Sequence, residues 1–140
     1  MIHDPLIRSI RPTVLLAEDD PDQSEMLSEI LDAEGFNVDT AFSGDAALHK
    51  LRDHKYDLLI LDIRMPGANG QEVLRQFRMG EKGGHTPVVI VSAFATEPEM
   101  RKYRLDGADD IFSKPYDIHE LLAAVKRLTC LKKGAASCSR

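Results

Sequence analysis

A chain of 140 residues with 43% hydrophobic and 29% charged side chains holds enough apolar material for one globular core without covalent staples. Its net charge of -5 argues against a bare nucleic-acid surface, which needs clustered excess lysine and arginine. No apolar run approaches the ~20 residues that span a bilayer, and Met1-Ile2-His3-Asp4-Pro5 lacks the charged and apolar regions of a signal peptide.

Residues Met1 to Pro12 show no period and read as an arm. Thr13-Val14-Leu15-Leu16-Ala17 is a short apolar strand, followed at once by Glu18-Asp19-Asp20. Asp20 suits a helix N-cap, Pro21 the first helical position, and Gln23 completes a capping-box pattern. Met26, Leu27, Ile30 and Leu31 form that helix's apolar stripe, and Gly35 ends it. Phe36, Val38 and Thr40 alternate as a second strand, and Ser43 caps a helix carrying Ala47, Leu48 and Leu51. Asp57 to Asp62 is the third strand. Its unbroken apolar run, Leu58-Leu59-Ile60-Leu61, reads as buried on both faces.

Val73, Leu74 and Phe77 mark a third helix, and residues 80–84 a polar connector. Pro87 to Ser92 is a fourth buried strand. Thr96 with Glu99 opens a fourth helix that ends near Asp106-Gly107. Ile111-Phe112-Ser113 is a weak fifth strand before Lys114-Pro115. Asp117 with Glu120 caps a last helix whose apolar face is Leu121, Leu122, Val125 and Leu128; residues 129–140 read as a tail or linker stub. Both cysteines, Cys130 and Cys138, fall in that stub, make no disulfide framework and fit a reducing cytoplasm. His3, His49, His54, His85 and His119 lack metal-ligand spacing and read as surface residues, while Met26, Met65, Met79 and Met100 read as packing residues.

Strand and helix signals that alternate five times imply an α/β fold of parallel strands with right-handed crossovers and helices on both faces. In such folds function gathers beyond the carboxyl ends of the strands. There the first strand delivers Glu18, Asp19 and Asp20, the third Asp62, the fourth Ser92 and the fifth Lys114. Carboxylates crowded at one rim repel unless a cation sits among them, and magnesium suits a small all-oxygen site that also meets phosphate. A cation, a lysine and a hydroxyl around one phosphoryl group supply most of what phosphoryl transfer needs. Asp20 fits a helix cap better than a metal ligand.

Four pieces carry a resemblance: Leu15-Leu16-Ala17-Glu18-Asp19-Asp20-Pro21, Leu61-Asp62-Ile63-Arg64-Met65-Pro66-Gly67, Ser92-Ala93, and Lys114-Pro115. From about Thr13 to Leu128 the chain resembles the receiver domain of two-component response regulators. The resemblance implies a flavodoxin-like (βα)5 fold with strand order 2-1-3-4-5. It makes Asp62 the acceptor of a phosphoryl group from a sensor histidine kinase or histidine phosphotransfer protein. Mg2+ would be held by Asp19, Asp62 and the backbone carbonyl of Arg64, with Glu18 acting through water. Ser92 would bond a phosphoryl oxygen, Lys114 would pair first with Asp62 and then with the phosphoryl group, and the Lys114-Pro115 peptide bond would be cis. Such a domain is not an enzyme beyond its own phosphorylation and slow autodephosphorylation. It switches a downstream protein or a self-dimer through the fourth helix, fifth strand and fifth helix, with no direct contact to nucleic acid or membrane. The segment is expected to be a stand-alone receiver or the N-terminal piece of a longer regulator.

The chain departs from this family where an aromatic residue often stands three positions before the lysine. Ile111 occupies that place, and Phe112 should face the opposite side of the sheet. Arg64 and Phe94 flank the expected phosphoryl position, and Phe94 is bulky enough to slow water attack. A phosphatase of the haloacid dehalogenase type matches Asp20-Pro21-Asp22-Gln23-Ser24 in letters only, because those residues open a helix. A flavodoxin-like cofactor binder would need a Gly- or Ser/Thr-rich phosphate loop after the first strand.

Overall fold

Apolar runs that read as buried on both faces have to lie at the centre of a layered structure, and they do. The computed structural model describes residues 11–80, 84–93 and 95–133. Strands and helices alternate as β1 (Thr13–Ala17), α1 (Pro21–Ala33), β2 (Asn37–Ala41), α2 (Gly44–Asp53), β3 (Leu58–Asp62), α3 (Gly70–Met79), β4 (Val88–Ala93), α4 (Glu97–Leu105), β5 (Asp110–Lys114) and α5 (Ile118–Lys133). The strands form one parallel sheet in the order β2-β1-β3-β4-β5. Its middle strand, β3, is buried at every position.

Alternation along each strand sorts the core into two layers. Val14, Leu16, Leu58, Ile60, Val89 and Val91 meet Leu27 and Leu31 of α1 and Leu121 and Val125 of α5. Leu15, Leu59, Leu61 and Ile90 meet Leu48 of α2, Leu74 and Phe77 of α3, and Tyr103 of α4. Each fully buried leucine among these contributes roughly 1.5–3 kcal/mol of transfer free energy. Ile111 and Phe112 fall in opposite layers, as their adjacency on β5 requires. Ser43 and Thr96 cap α2 and α4, and the Thr96–Glu99 pair closes a full capping box. Gly35 ends the α1 turn at φ 102°, where a side chain would be strained.

Four sequence expectations change. Met26 and Met79 are 56% and 86% exposed, not packed. The buried stripe of α1 is Ser24, Leu27 and Leu31, and Met26, one step from Leu27 at ~100° per residue, points away from it. The last helix does not stop at Leu128. It runs to Lys133, because Thr129 continues the buried stripe and its hydroxyl donates to the Val125 carbonyl at 2.8 Å. Gln23 does not close a capping box, since the Asp20 N–H donates to Glu18 Oε2 at 3.1 Å instead. Cys130 is disulfide-bonded, and the second cysteine lies outside the described residues.

The edge strand β2 is tied down by one carboxylate. Asp39 accepts from Lys50 Nζ and from the Tyr56 hydroxyl at 2.7 Å. Burial pushes its pKa up, but the Lys50 and Tyr56 hydrogen bonds outweigh it and hold the pKa below the usual 3.8. A depressed carboxylate adds stability above its unfolded pKa and loses it as pH falls through the folded one. Asp39→Asn should therefore lower the melting temperature at neutral pH, with the gap from the parent closing in acid below 3.8. Thermal melts across that range check it, and a gap independent of pH overturns it.

Candidate functional site

Parallel strands bring all their carboxyl ends to one edge, and register decides which side chains meet there. Ala17 pairs with Leu61, so Glu18 and Asp62 follow as neighbours; Asp62 pairs with Val91, and Ala93 with Lys114. By alternation Glu18 and Asp62 share the face of Leu16 and Ile60, and Lys114 that of Phe112, which is the α1 and α5 side. Ser92 shares the face of Ile90, on the α4 side.

Lys114 is the centre of the cluster. Its Nζ donates to Glu18 Oε1 at 2.9 Å, to Asp62 Oδ2 at 3.0 Å and to Gln23 Oε1 at 3.0 Å. Asp62 is 6% exposed, and its second oxygen accepts the Arg64 N–H at 3.0 Å. Glu18 is 8% exposed. Burial raises its pKa, and the Lys114 hydrogen bond opposes this without cancelling it. Burial works against the charge on Lys114, but hydrogen bonds to Glu18 and Asp62 more than compensate and hold its pKa above the ordinary lysine value.

Glu18, Asp19 and Asp62 each turn one oxygen into a group whose members lie within 4.8 Å of one another. Against these three carboxylates stands one ammonium, so negative charge is in excess. A small set of hard oxygen donors with open space at an exposed Asp19 fits magnesium, which keeps part of its water shell.

The other expected residues fall as follows. Asp20 caps α1, accepting from the Asp22 N–H at 3.0 Å. Arg64 is exposed on the loop after β3. Ser92 is 5% exposed. Among the described residues its hydroxyl donates weakly to the Ala93 carbonyl at 3.4 Å and meets the buried Tyr103 hydroxyl of α4, rather than joining the Lys114 cluster. Lys114-Pro115 is cis. Phe94 lies outside the described residues. The four described histidines, His49, His54, His85 and His119, are exposed.

Sequence reasoning missed Gln23 as a partner of Lys114, Tyr103 as a neighbour of Ser92, and the Asn69-Gly70 turn. Asn69 caps α3 through the Glu72 N–H at 3.0 Å. Gly70 donates its N–H to the Ile63 carbonyl at 2.9 Å, and a Cβ there would stand 2.4 Å from the Asp62 carbonyl oxygen. An Asn before a glycine and an apolar stripe was the available signal.

Known proteins share this fold. The family model described as response regulator receiver domain matches residues 14–126. Response regulator ArlR of Staphylococcus aureus is 38% identical over 116 residues, covering 82% of this chain and 51% of that protein. The chain thus spans about half the length of the curated relatives it matches. Among solved structures, the Francisella response regulator 1452 receiver domain superposes with TM-score 0.82 at 30% identity, covering 86% of this chain and 98% of that one. Response regulator TrrA of Thermotoga maritima, solved in complex with Mg(2+)-BeF, gives TM-score 0.74 at 34% identity, with 84% and 98% covered.

Because the Gly70 clash is with backbone rather than with a flexible side chain, the β3–α3 loop has to shift to admit a methyl group. Gly70→Ala should cost about 1–3 kcal/mol, as overpacking does. Urea unfolding reads this directly, and an unchanged midpoint would refute it.

Proposed function

The chain belongs to the response regulator receiver domain family, and from that membership we propose that Asp62 is its phosphoacceptor. The observation that carries the reading is Asp62 itself. It is a buried carboxylate at the end of the central strand, held by Lys114 on one oxygen and by the Arg64 N–H on the other.

The reaction divides among these groups. An Asp62 oxygen forms a bond to phosphorus as the P–N bond of a phosphohistidine breaks. The electron pair stays on the imidazole nitrogen, which takes up a proton. Lys114 holds the Asp62 carboxylate aimed through its 3.0 Å hydrogen bond, and its charge then serves the phosphoryl oxygens. The Arg64 N–H fixes the rotation of the carboxylate. Ser92, one strand over, supplies a hydroxyl to a phosphoryl oxygen after its side chain turns from the Ala93 carbonyl.

Glu18, Asp19 and Asp62 are the residues that would hold magnesium, with the Arg64 carbonyl as a further ligand and Glu18 acting through water. When bound, the ion supplies positive charge to the oxygens around phosphorus.

The donor is a sensor histidine kinase or a phosphotransfer protein, and the domain catalyses only its own phosphorylation and slow autodephosphorylation. We take the receiver unit as residues 13–128; α5 itself continues to Lys133. The output runs through the α4–β5–α5 face to a downstream protein or a second copy, without nucleic-acid contact by this segment. Leu105 at the end of α4 is 87% exposed. Among the described residues no helix is long and apolar enough to cross a membrane, and a cytoplasmic setting suits the proposed donor.

Incubation with acetyl phosphate and Mg2+ should add one phosphoryl group, seen by mass spectrometry, and chelating the metal should prevent it. Asp62→Asn should abolish the gain. Asp53→Asn, at the end of α2 with its side chain 56% exposed, should retain it. Labelling that survives Asp62→Asn refutes the assignment, and steady turnover of a phosphate monoester would point to a phosphatase instead.

A further inference from the structure

A lysine ammonium has three hydrogen-bond donors, and each of those on Lys114 has its own oxygen, from Glu18, Asp62 and Gln23. Two of the three acceptors are carboxylates at the ends of β1 and β3. The third is a neutral amide from the first turn of α1, 91 residues away in sequence. Gln23 reaches Lys114 because Glu18, Asp62 and Lys114 all project to the face that α1 covers.

The amide is held at both ends. Its Nε2 donates to Asp20 Oδ2 at 3.1 Å while its Oε1 accepts from Lys114 at 3.0 Å. These partners fix which amide atom points where, since an ammonium needs an acceptor and a carboxylate a donor. Asp20 is itself anchored as the cap of α1. Gln23 therefore links the helix start to the ammonium, and it is available for that link because Glu18 already takes the Asp20 N–H.

Resting on the phosphoacceptor reading above, we propose that Gln23 is a positioning residue for Lys114. It orients the ammonium from the solvent side without neutralising it. A third carboxylate at this place would hold Lys114 as firmly but would cancel the charge that an incoming phosphoryl group meets. An apolar residue would leave the third donor to mobile water and the long side chain to more rotamers, at an entropic cost when the anion arrives. An amide avoids both. Because Gln23 is exposed, water competes for the same donor, and the effect is that of one rim hydrogen bond.

The test uses the intact chain with beryllofluoride as the phosphoryl mimic and Mg2+ as the metal. In Gln23→Met, which keeps length and helix propensity but removes the acceptor, beryllofluoride affinity should fall about threefold. Mg2+ affinity, measured alone, should stay unchanged, since no charge and no metal ligand is lost. Gln23→Glu should weaken the anion further and tighten Mg2+. In nitrogen-detected NMR the Lys114 Nζ protons should be resolved in the parent and in Gln23→Glu and lost in Gln23→Met. A merely structural role would move both affinities together and leave the Nζ signal in place. A parent chain that fails to take beryllofluoride with Mg2+ would defeat the phosphoacceptor reading. A parent that takes it, with Gln23→Met equal to it and its Nζ signal intact, would defeat the role of Gln23 alone.

Discussion

Asp62 and Glu18 are both almost wholly hidden from solvent, and both hang on a single ammonium from β5. Leaving either carboxylate buried without that partner would cost several kcal/mol. Lys114 can reach them only if β4 and β5 sit beside β3 in register, which places Ala93 opposite Lys114 and Val91 opposite Asp62. The charge cluster thus depends on the whole strand order. The apolar core supplies that order, with β3 buried at every position and both faces covered. The glycines at the rim serve the same end. Gly44 leaves room for the Ala68 carbonyl and Gly70 for the Asp62 carbonyl, so the loop bearing Arg64 can lie close over the strand end.

The same alternation divides the site by function. Charge gathers on the α1 side, where Glu18, Asp62, Lys114 and Gln23 meet. Ser92 belongs to the other face and touches Tyr103 of α4. Ile111, standing where the family often has an aromatic, packs in the same layer as Tyr103. A buried phenol is therefore present beside Ser92, but it is delivered by a helix rather than by β5. The Tyr103 hydroxyl pKa is raised first by burial and then by Glu99, while the Ser92 hydrogen bond works the other way.

Much of this was legible in the sequence because it rests on short-range rules. Apolar runs at β1, β3 and β4 and capping residues at Ser43 and Thr96 fix the elements locally. Parallel topology then carries each strand's last residue to one edge, so Glu18, Asp19, Asp62 and Lys114 could be grouped before any contact was known. What escaped was decided by tertiary contact. Gln23 fits a capping box by spacing, but Glu18 takes the Asp20 N–H, and the freed amide oxygen accepts from a lysine 91 residues on. Met26 fits the α1 stripe by hydropathy, but the angle at which α1 lies on the sheet selects Leu27 and Leu31. Thr129 looks polar in the sequence, yet its hydroxyl is satisfied within the helix and can be buried.

The electrostatics of the cluster imply coupling between its two expected guests. Three carboxylates facing one ammonium favour a divalent cation and disfavour a phosphoryl dianion. A cation among Glu18, Asp19 and Asp62 removes the repulsion that the anion would meet. Linkage makes this reciprocal, so the anion must tighten the cation by the same factor. Lys114 alone cannot do this work, because two of its three donors are already committed to the carboxylates. Its third donor, resting on a neutral amide, is the part of its positive field not already answered by a negative one.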